Sequence, residues 1–314
     1  MKTMFDHLVV TAANAAQAIG YRAQLRARAA QLDGITAKWS VIADPRGRRV
    51  GSGAATVLAL ARLARASGAR SPADAFRDRR ILIVHSGGDS RRLPAYAAQG
   101  KVFLPIPVED RMGDTPAMFD LILRDLASVR FDEGVLIGAG DIFLDLAAAG
   151  LRISEPGITG VGFSAPAEVG TRHGVFVADE HGRVTDFLQK PSVALMQQHH
   201  ALDGSRHAVV DTGVVHFSPD AAAGLLAPGR RSILALSAAS DGPTIDLYEQ
   251  ILITAARGDE DASIAHLARS DARLAPALRA LAARWRSTTF RALRLARCPF
   301  THIGSTREVL DAFA

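Results

Sequence analysis

The chain has 314 residues, 48% hydrophobic and 22% charged, with 27 glycines and 14 prolines, a balance that excludes disorder and leaves enough length for a sizeable core. Its 37 basic against 32 acidic residues give a net charge of +5 without any block of like charges, so nucleic acid is not indicated as a partner; the single cysteine, Cys298, excludes an internal disulfide and a cysteine-built zinc site and suits a reducing cytoplasm. Asp6 and His7 stand where a signal peptide needs an apolar run, and no stretch of about 18 apolar residues occurs, so neither export nor a membrane span is expected.

In chain order, His7–Thr11 reads as a strand and Ala13–Gln31 as a helix, then Val41–Asp44 as a strand and Ala54–Ala66 as a helix. Ile81–Ser86 is an apolar run carrying His85 that stops at Gly87 and Gly88. Met118–Val129 is helical, and Val135–Gly138 is a further buried strand leading to Asp141. Near-continuous apolar strands alternating with helices predict a parallel sheet covered on both faces. From Ile158 the pattern changes to shorter strands at Gly160–Ser164, Gly174–Ala178, Val184–Leu188 and Val209–Phe217, an antiparallel or mixed extension of the same sheet. The last quarter reads as mostly helical: Ile245–Arg257, Ser263–Ala268 and a long stretch from Ala275 to Ala296, then a strand near Thr301–Ile303 and a helix from Thr306. Arg284, Arg286, Arg291, Arg294 and Arg297 form a basic stretch that reads either as a site for an anionic partner or, the preferred reading, as the solvated face of the long helical stretch, with Phe290, Leu293 and Leu295 as its apolar stripe. The expected fold class is therefore α/β, a Rossmann-like core with a mixed central sheet over residues 1–243 and a mostly helical part over 244–314 packed on it.

Several loops carry chemistry. Gly51-Ser52-Gly53 opens the second helix, where glycines allow close backbone approach and the helix N-terminus favours an anion. It is not a dinucleotide fingerprint, because Thr56 occupies the third glycine position. More specific is His85-Ser86-Gly87-Gly88-Asp89-Ser90-Arg91-Arg92-Leu93-Pro94, followed by Gly100-Lys101. Glycines there can wrap a triphosphate with backbone N–H groups while Arg91, Arg92 and Lys101 neutralise its charge. Val102 stands where a Walker A loop has Ser or Thr, so a P-loop kinase is excluded. Asp141, beyond Gly138-Ala139-Gly140 at a strand end, is the candidate ligand for Mg²⁺, which takes one or two carboxylates together with phosphate oxygens. Asp246 is either a second ligand or an acid in the first turn of a helix.

His173-Gly174, Lys190-Pro191 and Asp211-Thr212-Gly213 each place polar groups beside Gly or Pro at a strand end. Only four of the 37 basic residues are lysines, at 2, 38, 101 and 190. In so arginine-rich a chain, Lys101 and Lys190 suggest sites that need a compact ammonium rather than a planar fork. There is no G-x-S-x-G for a serine hydrolase.

Taken in order, Asp44-Pro45 with Gly51-Ser52-Gly53, HSGGDSRRLP with Gly100-Lys101-Val102-Phe103, GAGD at 138–141, HGVF at 173–176, LQKPSV at 188–193, DTGVV at 211–215, DLYE at 246–249 and HIGSTREVL at 302–310 resemble the GDP-fucose pyrophosphorylase family. The likeness runs from about Leu8 to Leu310. It implies a sugar nucleotidyltransferase domain that joins a sugar 1-phosphate, L-fucose 1-phosphate in the family, to a nucleoside triphosphate, GTP in the family, with Mg²⁺ and release of pyrophosphate. Under that implication Gly51, Ser52, Gly53, Gly87, Gly88, Asp89, Ser90 and Arg91 bind the nucleotide. Arg92 and Lys101 act on the departing pyrophosphate. Lys190, with His173, Gly174, Asp211 and Thr212, takes the sugar 1-phosphate. The alternative is a nucleotide-sugar-binding or regulatory domain of the same fold without turnover, which would be expected to lose Lys101, Arg92 or Asp141; all three are present.

Two departures from the family pattern stand out. The left-handed β-helix that usually follows, and the sugar kinase of fused members, do not occur before Ala314, so the sequence corresponds to a catalytic domain standing alone or to a piece of a longer chain. Gln250 stands where relatives often have an acid after DLYE.

Overall fold

The computed structural model describes residues 3–86, 93–96, 99–107, 115–303 and 305–313. Parallel strands β1 (His7–Ala12), β2 (Trp39–Ala43), β3 (Arg80–His85) and β4 (Gly134–Ala139) alternate with helices α1 (Ala15–Ala27), α2 (Ser52–Ser67) and α3 (Met118–Ser128). A short strand, β5 (Ile142–Leu144), follows β4. Then come β6 (Ile158–Pro166), β7 (Gly174–Ala178), β8 (Val184–Gln189) and the long β9 (His207–Phe217). One nine-stranded sheet runs β8-β7-β9-β4-β3-β1-β2, with β6 along the other edge of β9. Strand β9 is antiparallel to β4, β6 and β7, so it joins the parallel half of the sheet to the antiparallel half.

The apolar runs explain the layering. Leu8, Val10, Leu82, Val84 and Leu136 point to one face, where Tyr21 and Leu25 of α1 and Met118, Phe119 and Ile122 of α3 cover them. Val9, Ile81, Ile83, Val135 and Ile137 point to the other, under Ala54, Val57 and Leu60 of α2. Alternate residues of one strand thus serve two cores, and a strand buried on both faces needs an unbroken apolar run. Within the parallel half the spatial order is β2-β1-β3-β4, so successive connections leave in opposite directions from β1. The crevice at the carboxyl ends of β1 and β3 is the place where open α/β sheets bind ligands.

The long helix expected over Ala275–Ala296 is two elements. Helix α4 (Leu274–Arg284) stops at Trp285, and β10 (Phe290–Leu295) pairs in parallel with β6, from Phe290 opposite Ile158 to Leu295 opposite Phe163. Ser287, Thr288 and Thr289 are poor helix formers, and Phe-Arg-Ala-Leu-Arg-Leu, apolar at 290, 292, 293 and 295, keeps neither a strict two-residue period nor more than a partial helical one. The exposed edge of β6 decides between them. Phe290 and Leu295 are buried and Leu293 half-buried, whereas Arg294 reaches out to Asp203 at 3.0 Å and Arg291 to the His181 carbonyl at 3.1 Å. Two last elements, β11 (Phe300–His302) and α5 (Thr306–Phe313), return to the sheet ends, β11 pairing antiparallel with β5.

A charged link ties the helical part to the sheet. Asp186 of β8, 8% exposed, accepts from the Arg257 guanidinium, with Nη2 at 2.7 Å, and lies 2.8 Å from His199 Nδ1. Arg257→Ala should cost about 2–3 kcal/mol, at or below the low end for breaking a buried pair because His199 remains. Urea unfolding of the two proteins measures this, and a change below about 0.5 kcal/mol would mean that the link is only a surface ion pair.

Candidate active site

Asp141 is the second residue past β4. Gly140 N–H bonds the His85 carbonyl at 2.9 Å, and a Cβ on Gly140 would lie 2.6 Å from that oxygen, so glycine is required for the chain to turn so close to β3. The Asp141 carboxylate pairs with the Lys101 ammonium and has His302 Nε2 at 3.5 Å. Burial works against its charge, but the bonds from His302 and Lys101 outweigh it and hold the carboxyl well below the usual range. His302 is raised by its bond to Asp141, with burial opposing and Glu308 adding a second bond at 2.9 Å. Lys101 is delivered by Gly100, whose φ of +78° and missing Cβ let the chain pass against the Tyr21 ring. The Tyr21 hydroxyl in turn donates to the Ser86 carbonyl at 3.0 Å and lies 2.9 Å from the Ser86 hydroxyl, fixing the end of β3. Gly87, Gly88, Asp89, Ser90, Arg91 and Arg92 lie outside the described residues.

Next to this centre is a hollow of about 280 Å³ lined by Thr11, Asp44, Arg49, Gly51, Ser52, Ala55, His85, Thr244 and Asp246. The glycines here serve a purpose the sequence did not disclose. A Cβ on Gly51 (φ +86°) would lie 2.4 Å from the Ile245 carbonyl, and one on Gly53 would lie 3.0 Å from the Asp246 backbone. They admit the segment 244–246, which closes the hollow. Asp246 caps the turn Leu247–Leu252: its Oδ1 accepts Tyr248 and Glu249 N–H at 2.8 and 2.9 Å, and its Oδ2 accepts the Ser52 hydroxyl at 2.8 Å. Gln250 returns its amide oxygen to the Asp246 N–H at 2.7 Å. His85, pushed down to about 4 by burial, is a neutral imidazole between Thr11 (3.3 Å) and Thr56 (2.8 Å) that links the ends of β1 and β3 to α2. Burial raises Asp44 to about 6.

A second cleft, of about 780 Å³, has a lining that includes His302, the partner of Asp141, together with Arg172, His173, Lys190, Phe300 and Glu308. Lys190 follows β8 with φ +49°, a left-handed conformation that costs a non-glycine residue about 1 kcal/mol or more. Its N–H bonds the His173 carbonyl at 3.0 Å, which holds the strained turn and sets the two side chains side by side. Burial first, then His302, Arg172 and Lys190, lowers His173 to about 4, and its ring meets Phe300 edge-on at 4.7 Å. Gly174 presses on the Phe187 ring, which a Cβ would meet at 2.4 Å. Asp211 and Thr212 occupy a bulge of β9 rather than the cleft lining. Thr212 donates to the Val161 carbonyl at 2.7 Å, and Asp211 is buried, accepting the Gly213 N–H at 3.0 Å.

The fucose pyrophosphorylase domain model matches residues 73–314. The chain belongs to that family. Among curated fucose pyrophosphorylase relatives, the bifunctional fucokinase/GDP-fucose pyrophosphorylase of Arabidopsis thaliana is 32% identical over 258 residues, covering 72% of this chain and 24% of that protein. The fucose-1-phosphate guanylyltransferase of Homo sapiens is 29% identical over 213 residues, 63% of this chain and 34% of that one. The L-fucokinase/L-fucose-1-P guanylyltransferase of Bacteroides fragilis is 32% identical over 187 residues, 56% and 19%. The chain thus spans about a third or less of the length of these relatives. Among the described residues no helix is long and apolar enough to cross a membrane.

Sequence reasoning missed the contributions of His302, Glu308, Tyr21 and His85. HIGSTREVL was visible as a family motif, but nothing in its spacing placed His302 beside Asp141.

Asp211 offers a test of this geometry. Burial pushes its carboxyl up to about 7, above the value of about 4 expected unfolded. A raised folded value stabilises the protein at low pH, and that stabilisation is lost as pH climbs from about 4 through 7. Asp211→Asn, which keeps the oxygen that accepts from Gly213, should therefore gain on the wild type across that window and level off above it. Urea unfolding from pH 4 to 8 checks this; a constant difference would contradict it.

Proposed function

We propose that this chain is a fucose-1-phosphate guanylyltransferase, forming GDP-fucose and pyrophosphate from L-fucose 1-phosphate and GTP. The observation that carries the reading is the pairing of Asp141 with Lys101 just past the carboxyl end of β4, beside two cavities: His85, whose carbonyl holds Gly140, lines a hollow of nucleobase size, and His302, the other partner of Asp141, lines a cleft bearing Arg172, His173 and Lys190. The activities for which the relatives are named supply the sugar and the base. In the hollow, the Asp44 carboxylate would accept from the N1–H and 2-amino group of guanine.

A phosphate oxygen of the sugar 1-phosphate attacks the α-phosphorus of the triphosphate. The new O–P bond forms as the bond from the α-phosphorus to the bridging oxygen breaks, and pyrophosphate takes that electron pair. This displacement needs orientation and charge neutralisation rather than a protein nucleophile. Lys101, with Arg92, neutralises the departing pyrophosphate; Lys190 and Arg172 orient the entering phosphate, and the neutral His173 can donate one hydrogen bond to it without adding charge.

Mg²⁺ fits the donor set, because Asp141 is kept ionised and a triphosphate brings the remaining oxygens; among the described residues no group of three or more His, Cys, Asp or Glu forms an all-protein cage. Bound by Asp141, it would draw negative charge off the phosphates. The Asp246 carboxylate is committed to Ser52 and the turn, so Asp141 is the ligand we assign. The proposed compartment is the cytoplasm, and the proposed partner is a sugar kinase, fused or associated, that makes the sugar 1-phosphate.

Pyrophosphate release, measured with a panel of sugar 1-phosphates against each of four nucleoside triphosphates, should be largest for L-fucose 1-phosphate with GTP and should require Mg²⁺. Lys101→Ala should lower kcat by about 10²–10³, the scale of one lost donor to the transition state. Release from no pair in the panel would leave the non-catalytic alternative standing, and an effect of Lys101→Ala confined to the KM of the sugar phosphate would move that residue to the other substrate.

A further inference from the structure

We infer that His302 is a positioning residue for Asp141, and that Glu308 aims it. The inference rests on the assignment of Asp141 as the cation ligand. Asp141 is gripped from two directions. From the β3 side comes Lys101. From the C-terminal side come His302, with Nε2 3.5 Å from the carboxylate, and Ile303, whose N–H bonds the Asp141 carbonyl at 2.7 Å.

The imidazole has little freedom to turn. Its second nitrogen lies 2.9 Å from Glu308 Oε1, and the other Glu308 oxygen accepts the Ser305 hydroxyl at 2.8 Å. Both ring nitrogens are thus engaged by carboxylates, and the outer carboxylate is itself held. The backbone sets the register: Phe300, Thr301 and His302 pair with Leu144, Phe143 and Ile142 in turn. A slip of one residue would turn the imidazole to the opposite face. Phe300 stacks on Phe163 at 5.1 Å and receives the His173 edge, so the same three-residue strand is anchored in the wall of the 780 Å³ cleft.

The chemistry gives this brace a purpose. Lys101 and His302 share one oxygen of Asp141, Oδ2. When a triphosphate arrives, Lys101 has phosphate oxygens to neutralise and its hold on Asp141 weakens. A carboxylate that must then present a lone pair to a cation depends on its remaining partner for orientation. Partners one step removed from a metal typically contribute about 10–100-fold in affinity. His302 is that partner, and Glu308 keeps it from rotating away.

The test uses Mn²⁺ as the probe, in the presence of GTP but without sugar phosphate so that no turnover occurs, with free Mn²⁺ read by electron paramagnetic resonance. His302→Ala should weaken Mn²⁺ binding about 10–100-fold. His302→Gln, whose amide N–H can reach the same carboxylate, should recover most of that loss, which a merely structural role for the ring would not produce. Glu308→Gln should weaken binding in the same direction by less, and it carries the measurement if His302→Ala does not fold. Asp141→Asn is the reference. If it abolishes Mn²⁺ binding while His302→Ala and Glu308→Gln stay within twofold of the wild type, the positioning role is overturned and the assignment of Asp141 stands. If Asp141→Asn itself binds Mn²⁺ normally, both are overturned.

Discussion

A single carboxylate charge, placed where burial opposes it, organises the ligand-facing end of this molecule. Burial works against the Asp141 charge, and the bonds from His302 and Lys101 outweigh it and hold the carboxyl well below the usual range. Bringing them there dictates local sequence. Gly140 must be glycine to turn against β3, and Gly100 must be glycine to carry Lys101 past Tyr21. The C-terminal strand must pair with β5 in one register to deliver His302. Three segments far apart in the chain thus meet at one oxygen.

Two cavities flank the strand ends. Strands β1 and β3 diverge in connectivity at their carboxyl ends, which opens the hollow near Thr11, Asp44 and His85, and the antiparallel half supplies the cleft near His173 and Lys190. Strand β9 joins the halves, paired with β4 through Val215–Phe217 and with β7 through Val209 and Val210. The bulge between Asp211 and Val214 lies at the change of partner, where Gly213 takes φ +76° and its carbonyl receives the Tyr248 hydroxyl at 3.2 Å. One continuous sheet carries the strands from which both cavities are built, as the proposed in-line displacement would require.

Much of this was legible in the sequence, because strands buried on both faces cannot avoid continuous apolar runs. The four parallel strands and the strand-end positions of Asp141, His173 and Lys190 followed from such runs and from glycine and proline at their ends. Short segments with two readings were not legible: Phe290–Leu295 fits a helix or a strand until the free edge of β6 is seen. Gly51 and Gly53 read as making room for a ligand, and they also make room for residues 244–246, a contact between segments 194 positions apart. His302 was hidden for the same reason, since 161 positions separate it from Asp141 and only tertiary structure joins them. The left-handed backbone of Lys190, held by its N–H to the His173 carbonyl, was not legible either, because nothing in the sequence marks a positive φ at a non-glycine residue.

The division of substrates between the two lysines is the claim on which this account of the site depends. Equilibrium binding of GTP and of L-fucose 1-phosphate, each measured separately by calorimetry on the wild type, Lys101→Ala and Lys190→Ala, tests it most directly. The account predicts a crossed pattern: Lys190→Ala loses sugar-phosphate affinity by at least about tenfold, the scale of one charge-assisted hydrogen bond, and keeps GTP within a few fold, while Lys101→Ala does the reverse. Loss of GTP binding in Lys190→Ala with sugar-phosphate binding intact would contradict it.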